Sequence, residues 1–256
     1  MISRARLVPT PLVRPVDRAG VDSIIAALRA GEWSPGSRFV KREGDRWVWL
    51  GELPASAGGA VLVIKGRPRG GLGMLPDRHA VKQAIGAARL RRIGVATSEP
   101  IALLDVRLES GAAERWLILN ALPGDTLANT LARGGRTHAQ DAALAQRAGA
   151  LVRTLHEAGL FNRDHKASNL IVTPAGAIGV VDTVAIRRRR SVSTRRRMLV
   201  SMCKELTGIG ALPRRTQLLR CLRAASDDAR ADWRAIALLM RDAGDTTPRV
   251  DPLPEA

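Results

Sequence analysis

The chain has 256 residues, 45% of them hydrophobic, which is enough to form a substantial core and excludes an intrinsically disordered protein. Its formal charge of +17 comes from 41 lysines and arginines against 24 acidic residues, and it predicts attraction to phosphate-rich ligands or anionic surfaces. Two cysteines, Cys203 and Cys221, do not make a disulfide framework, so we expect a reducing compartment.

No window of the sequence is apolar over a membrane-spanning length, and the basic N-terminus is not followed by the apolar stretch of a signal sequence. We therefore expect a cytoplasmic protein. Its basic charge adds the expectation of a peripheral contact with an anionic membrane face.

The first half of the chain predicts a helix followed by an antiparallel sheet. Apolar residues at helical spacing predict a first helix over residues 20–33, before a break at Pro35-Gly36. Short apolar runs with brief connections then predict antiparallel strands and one helix. The strands are expected at residues 37–42, 46–51, 60–65, 101–108 and 115–119, and the helix at residues 77–93.

The second half is predicted to be mainly helical. A strand-to-helix turn at residues 120–124 precedes the helices, and a short hairpin interrupts them. Helices are expected at residues 126–131, 137–159, 198–207, 214–225 and 232–243, and the hairpin strands at residues 170–172 and 178–181. Residues 245–256 have little apolar content and are predicted to form a frayed tail.

The loop before the hairpin contains the most informative motif. Asp164, Lys166 and Asn169 follow one another at a spacing of two and three residues, and Asp182 comes thirteen residues after Asn169. Phosphoryl transfer needs an acidic residue to orient the acceptor hydroxyl, a positive charge near the phosphate and oxygen ligands for Mg²⁺. This pattern assigns Asp164 and Lys166 to catalysis, and Asn169 and Asp182 to the metal.

A polar loop before an ordinary hairpin is the alternative interpretation, with Asp164 and Asn169 acting as turn formers. Turn chemistry gives no reason for Lys166, nor for Asp182 after an apolar strand. Lys65 adds weight to the catalytic interpretation because it closes a buried-looking strand, where a kinase places the lysine that holds the α- and β-phosphates of ATP.

In this order the motifs resemble those of the bacterial lipopolysaccharide core kinases, the Kdo/heptose kinase family of the protein-kinase-like superfamily. The segments that carry the resemblance are Ala-Val-Leu-Val-Ile-Lys at 60–65, Leu-Pro-Gly at 122–124, Leu-His-Glu-Ala-Gly-Leu-Phe-Asn-Arg-Asp-His-Lys-Ala-Ser-Asn-Leu-Ile-Val at 155–172 and Val-Val-Asp at 180–182. Together they cover about residues 37–240. The catalytic-loop motif is specific to the superfamily, but it does not identify the substrate within the superfamily.

The resemblance implies an α+β bilobal protein-kinase-like fold with an antiparallel-sheet N-lobe and a small, mainly helical C-lobe. The expected boundaries are an N-terminal extension with a helix (1–36), the N-lobe (37–121), the C-lobe (122–243) and a flexible tail (244–256). ATP would be held by Lys65, by Gln83 in place of the usual helix glutamate, and by the hinge at Asn120 and Leu122. Mg²⁺ is the implied metal.

An arginine-dense segment follows Asp182, with arginines at 187–190 and 195–197. It resembles the basic stretch of the same family and assigns Arg187, Arg188, Arg189 and Arg190 to an acceptor or membrane contact. The implied partners are ATP, a phosphorylated glycolipid acceptor and the anionic surface of the inner membrane. The alternative for this segment is a solvated basic helix face.

Other functions remain open at this point. No glutamate occurs between Glu52 and Glu99, and this favours a catalytically weak or inactive pseudokinase scaffold. A kinase for a protein or a small molecule is a further alternative. Nucleic-acid binding is not expected, since the chain lacks zinc, RNP-like and helix-turn-helix signatures and has few aromatic residues to stack on bases.

Overall fold

The computed structural model describes residues 2–8, 22, 24–27, 37–52, 61–69, 78–211 and 213–241. Within them the protein is a mixed α+β structure with an antiparallel sheet and several helices, as predicted. The chain divides into two compact units. The first comprises Met1–Ala88 and Ser98–Ala121, and the second comprises Arg89–Thr97 and Leu122–Ala256.

The first unit is built on a six-stranded antiparallel sheet with the strand order β1-β5-β6-β4-β3-β2. Leu62 and Ile64 alternate with less buried neighbours in β4, because successive side chains of a strand point to opposite faces. The strands are β1 (Ile2–Leu7), β2 (Arg38–Glu43), β3 (Arg46–Glu52), β4 (Val61–Pro68), β5 (Pro100–Leu108) and β6 (Ala113–Asn120).

Strand β1 was not predicted, since residues 2–7 were expected to belong to an N-terminal extension with one helix. It pairs antiparallel with β5 at one edge of the sheet. The sequence of this strand, Ile-Ser-Arg-Ala-Arg-Leu, does not alternate cleanly between apolar and polar residues, so it lacks the usual pattern of a half-buried strand. Residues 22 and 24–27 are helical, in agreement with the first predicted helix, and the rest of that helix lies outside the described residues.

Helix α1 (Arg78–Arg92) agrees with its prediction to within one residue at each end, and Gln83 is completely buried in it. The segment after it, residues 93–97, belongs to the second unit. There the Thr97 hydroxyl donates a hydrogen bond of 2.6 Å to Val180 O, and Val180 N donates one of 2.9 Å to Ala96 O.

The second unit combines helices with two small sheets. Its helices are α2 (Leu127–Ala132), α3 (His138–Glu157), α4 (Val192–Gly208), α5 (Arg215–Ala225) and α6 (Ala229–Arg241). Strands β7 (Asp125–Thr126), β9 (Leu170–Val172) and β10 (Ile178–Val180) form one sheet, and β8 (Leu160–Asn162) pairs with β11 (Ile186–Arg188) in the other.

Two long helices of this unit begin at caps that are visible in the sequence. Thr137 and Gln140 form a reciprocal capping box at the start of α3, and Ser191 and Thr194 form one at the start of α4. Helix α4 therefore begins six residues earlier than predicted. The apolar run was expected to start at Met198, but the cap at Ser191 allows the basic residues before it to be helical.

A continuous apolar core holds the second unit together, with Leu155, Leu170, Met198 and Leu222 fully buried in it. Helices α3 and α5 approach so closely that a Cβ at Gly149 would collide with the backbone of Cys221. Both cysteines of the chain are free and buried, and burial raises the pKa of the Cys203 thiol to about 11. No helix of the described residues is both long and apolar enough to cross a membrane.

Candidate active site

The residues of the predicted catalytic loop form one hydrogen-bonded cluster around Asp164 in the second unit. Each carboxylate oxygen of Asp164 has its own partner: Lys166 Nζ lies 3.1 Å from Oδ1, and Asn169 Nδ2 donates to Oδ2 at 3.0 Å. Asn169 Nδ2 also donates to the Asp164 carbonyl oxygen at 3.1 Å. The side chains of Asp164 and Lys166 are 38% and 51% exposed, so solvent and a substrate can reach both.

Asn162 fixes the backbone at the start of this loop. It is completely buried, and its Oδ1 accepts a hydrogen bond of 3.1 Å from Asp164 N. Its Nδ2 lies 3.4 Å from Nδ1 of His165, which is also completely buried. Burial lowers the pKa of His165 to about 4, so this imidazole is neutral at pH 7. A neutral ring lets Nδ1 accept a hydrogen bond from the Asn162 amide.

Glu205 fixes the other end of the loop, and the sequence reasoning missed it. Its carboxylate accepts hydrogen bonds from Ser168 N at 2.7 Å and from Ser168 Oγ at 2.6 Å. Ser168 lies in the middle of the 3₁₀ turn Ala167–Asn169, so helix α4 holds the turn that presents Asn169. Glu205 is 37 residues from Ser168 in the chain, and no local spacing in the sequence connects them.

The hairpin β9–β10 brings Val181, the residue before Asp182, back to the predicted catalytic loop. Val181 N donates a hydrogen bond of 2.9 Å to Asn169 O, which fixes the residue just before Asp182 beside Asn169. Asp182 has φ 56° and ψ 61°, in the left-handed region. It is the one non-glycine residue with positive φ in the part of the chain that the structure describes.

A left-handed non-glycine residue is strained, and such residues cluster at functional sites, where the surrounding structure holds them. Here the β10 strand precedes Asp182 and the 3₁₀ turn Thr183–Ala185 follows it. The conformation turns the chain sharply between these two elements. Aspartate, like asparagine, adopts this conformation at a lower cost than most other residues, because its short polar side chain can hydrogen-bond locally.

The donor atoms at Asn169 and Asp182 fit Mg²⁺. Because Asn169 Nδ2 faces Asp164, its Oδ1 is the atom left to bind a metal, and oxygen is the donor that Mg²⁺ prefers. No group of three or more His, Cys, Asp or Glu among the described residues could hold a metal ion alone.

The residues predicted to bind ATP lie in the following places. Lys65 is half-buried in β4, where it pairs with Leu117 of β6, and Gln83 is buried in α1. The amide of Asn120 donates to Glu99 O at 3.0 Å, so its N–H is already used. Leu122 belongs to the second unit, where it packs against Gly179. These assignments stay predictions.

The arginine-dense segment is divided between two different environments. Arg187 and Arg188 lie in strand β11, whereas Arg195 and Arg196 lie in helix α4 and pair with the buried Asp232 at 2.8 and 2.7 Å. Burial alone would raise the pKa of Asp232, but hydrogen bonds from Arg196, Ser226 and Arg195 outweigh it and lower this pKa. Arg195 and Arg196 thus join α4 to α6, and their charges are already paired with Asp232. Arg189 and Arg190 are exposed in the loop between these elements.

Comparison of the chain with protein-family models and with curated proteins finds no match.

Proposed function

We propose that the protein is an ATP- and Mg²⁺-dependent phosphotransferase that acts on a hydroxyl group. The observation that supports this most strongly is the cluster of Asp164, Lys166 and Asn169, joined through the Val181–Asn169 hydrogen bond to the strained Asp182. A turn-forming loop would not need the lysine beside the carboxylate.

In the proposed reaction, the hydroxyl oxygen of the acceptor attacks the γ-phosphorus of ATP, and Asp164 Oδ1 or Oδ2 accepts the proton of that hydroxyl. The P–O bond to ADP breaks, and ADP leaves with the electron pair. Lys166 supplies positive charge next to Asp164, where the negative charge of the phosphoryl group would otherwise be repelled. Asn169 and Asp182 would hold Mg²⁺, which neutralises charge on the phosphate oxygens when it is bound.

The proposed acceptor is a phosphorylated sugar of a lipopolysaccharide-like glycolipid. Support comes from the resemblance to lipopolysaccharide core kinases and from the arginines at 187–190, which follow the metal aspartate and suit a phosphate-bearing substrate. The test is a transfer screen with γ-labelled ATP against lipid-linked sugars, proteins and aminoglycosides. Label in the glycolipid pool supports the proposal, whereas label in protein or aminoglycoside alone contradicts this acceptor class.

A catalytically inactive scaffold is the second candidate, and Gln83 is the observation that favours it. The side chain is fully buried, and it is neutral at the helix position where the resemblance expects a glutamate. A Gln83→Glu variant separates the two candidates. In an enzyme, it retains or raises Mg²⁺-dependent ATP turnover. In a scaffold, both the wild-type protein and the variant lack turnover.

A further inference from the structure

Two arginines that are distant in the chain, Arg89 and Arg187, converge on one backbone carbonyl of the second unit, that of Ile186. Arg89 Nη1 donates a hydrogen bond of 3.2 Å to Ile186 O. Arg187 Nη1 donates to Val184 O at 2.9 Å and lies 3.4 Å from the same Ile186 O. Both side chains are half-buried, so their guanidinium groups are held in place rather than spread in solvent.

This arginine cluster, Arg89 with Arg187 and Arg188, is positively charged without a compensating acid. No carboxylate of the described residues forms an ion pair with any of its three members. The pKa of Arg89 is lowered by burial, and also by the charges of Arg188 and Arg187. The fold thus keeps repelling charges together, which an anion would relieve.

Arg195 and Arg196 provide the contrast within the same basic segment. Their charges are met by the buried carboxylate of Asp232, and they have an evident structural role in joining two helices. The arginine cluster joins α1 to β11 only through backbone carbonyl oxygens. Carbonyl oxygens orient a guanidinium but do not neutralise it, and each guanidinium retains donors for a second partner.

The arginine cluster is also attached directly to the backbone that supports Asp164. Ile186 pairs with Asn162 in the β8–β11 ribbon, and Arg163 N donates to Ala185 O at 3.2 Å. Asn162 in turn accepts the hydrogen bond of Asp164 N. The two-stranded ribbon therefore contains Arg187 and Arg188, and the candidate catalytic Asp164 follows its strand β8 by two residues.

We propose that Arg89, Arg187 and Arg188 form a binding site for a phosphate group, the one carried by the acceptor. This inference rests on the proposed function for its identification of the acceptor, and it adds Arg89, on a different element, to the binding residues. A phosphomonoester dianion suits the cluster because guanidinium groups bind phosphate oxygens in pairs and remain charged at all relevant pH values.

The test measures binding of inorganic phosphate to the full chain by calorimetry, in chloride buffers of constant ionic strength and without ATP. We expect Arg89→Gln and Arg187→Gln each to weaken binding by about tenfold or more, because each removes a charged hydrogen-bond donor. Arg89→Lys should bind with intermediate affinity, since it keeps the charge but loses the paired donors. Circular dichroism would verify that each variant is folded.

Arg92→Gln is the matched control. It removes one exposed arginine from the same helix as Arg89, and Arg92 does not contribute to the lowered pKa of Arg89. It should bind phosphate within about twofold of wild type. Equal weakening by all three Gln variants would overturn the proposal, because it would indicate diffuse attraction to a +17 chain rather than a site. Unchanged binding in Arg89→Gln would overturn it as well.

Two further measurements extend the test. The first distinguishes a membrane headgroup from free phosphate, and the second distinguishes failure of the anion site from failure of the proposed function. If Arg89→Gln loses binding to phosphatidylglycerol vesicles while keeping inorganic phosphate, the cluster recognises a membrane headgroup and the proposal is wrong. Asp164→Asn should abolish ATP turnover yet bind phosphate like wild type. The anion site is thus measured independently of catalysis, so each idea can fail alone.

Discussion

Glu205 provides the sharpest test of how helix α4 supports the candidate site. In a Glu205→Ala variant, Ser168 loses two short hydrogen bonds to one half-buried carboxylate. Hydrogen bonds to charged groups contribute about 1.5–3 kcal/mol each, and two that share a single carboxylate together contribute about 3 kcal/mol. For a chain of this size, that loss lowers the melting temperature by about 6–12 °C.

The same change should also weaken the proposed metal site. Ser168 precedes Asn169 in the 3₁₀ turn, so a loosened turn misplaces the proposed metal ligand. We expect the Mg²⁺ concentration for half-maximal ATP turnover to rise by about tenfold. Glu205→Gln is the matched control. It keeps an acceptor for Ser168 N and can donate to Ser168 Oγ, and it should lose less than half of the stability that the alanine variant loses.

Differential scanning calorimetry and Mg²⁺ titration of ATP turnover, carried out on the same protein samples, measure both effects. A Glu205→Ala protein that melts within about 2 °C of wild type would refute the stability argument, because the expected loss is several times larger. Normal stability with a changed Mg²⁺ requirement, or the reverse, would refute the coupling between the turn and the metal. Ser168→Ala combined with Glu205→Ala should be no less stable than Glu205→Ala alone, since both remove the same contacts.

Three other predictions follow from single backbone or side-chain features. The free energy of unfolding in urea should be about 1 kcal/mol higher for Asp182→Gly than for Asp182→Ala, because alanine is strained at φ 56° and glycine is not. Both variants should lack ATP turnover. Equal stabilities of the two variants would contradict the argument from strain. The pKa of His165 is about 4 when folded and about 6.5 when unfolded, so the unfolded chain binds the extra proton as the pH falls from 6.5 to 4. The free energy of unfolding should therefore fall by about 2 kcal/mol more between pH 7 and pH 5 in wild type than in His165→Leu, and parallel pH profiles would contradict the assignment. Gly124→Ala should be at least about 2 kcal/mol less stable than Gly135→Ala in urea. Both glycines have positive φ, but only at Gly124 would an added Cβ collide with the Val172 carbonyl oxygen. Equal losses of stability would show that the collision makes no contribution.

Local patterns in the sequence predicted most of the elements of the fold. Helix α1 agrees with its prediction to within one residue at each end, and strand β4 was predicted from its apolar run at residues 60–65 but extends to Pro68. Strands β8 and β11 were missed since each has three residues, too few to show a period. Strand β1 was missed because its polar residues are not confined to one face.

The candidate site divides in the same way. The Asp164 cluster could be predicted because its members lie within a few residues of one another and their spacing is fixed by one turn. Glu205 and Arg89 could not be predicted, since each reaches its partner across 37 or 97 residues through the packing of α4 and α1. The left-handed conformation of Asp182 is likewise a property of the folded backbone, and it could not be predicted from the residue type alone.

The most direct test of the central claim is the rate at which purified protein converts ATP to ADP with Mg²⁺, compared between wild type and Asp164→Asn. Loss of a general base costs about 10²–10⁴-fold in rate, so we predict a decrease of that size with an unchanged melting temperature. Removal of Mg²⁺ by a chelator should abolish the wild-type rate. A wild-type protein with no Mg²⁺-dependent turnover, or an Asp164→Asn protein as active as wild type, would contradict the claim that this cluster transfers phosphoryl groups.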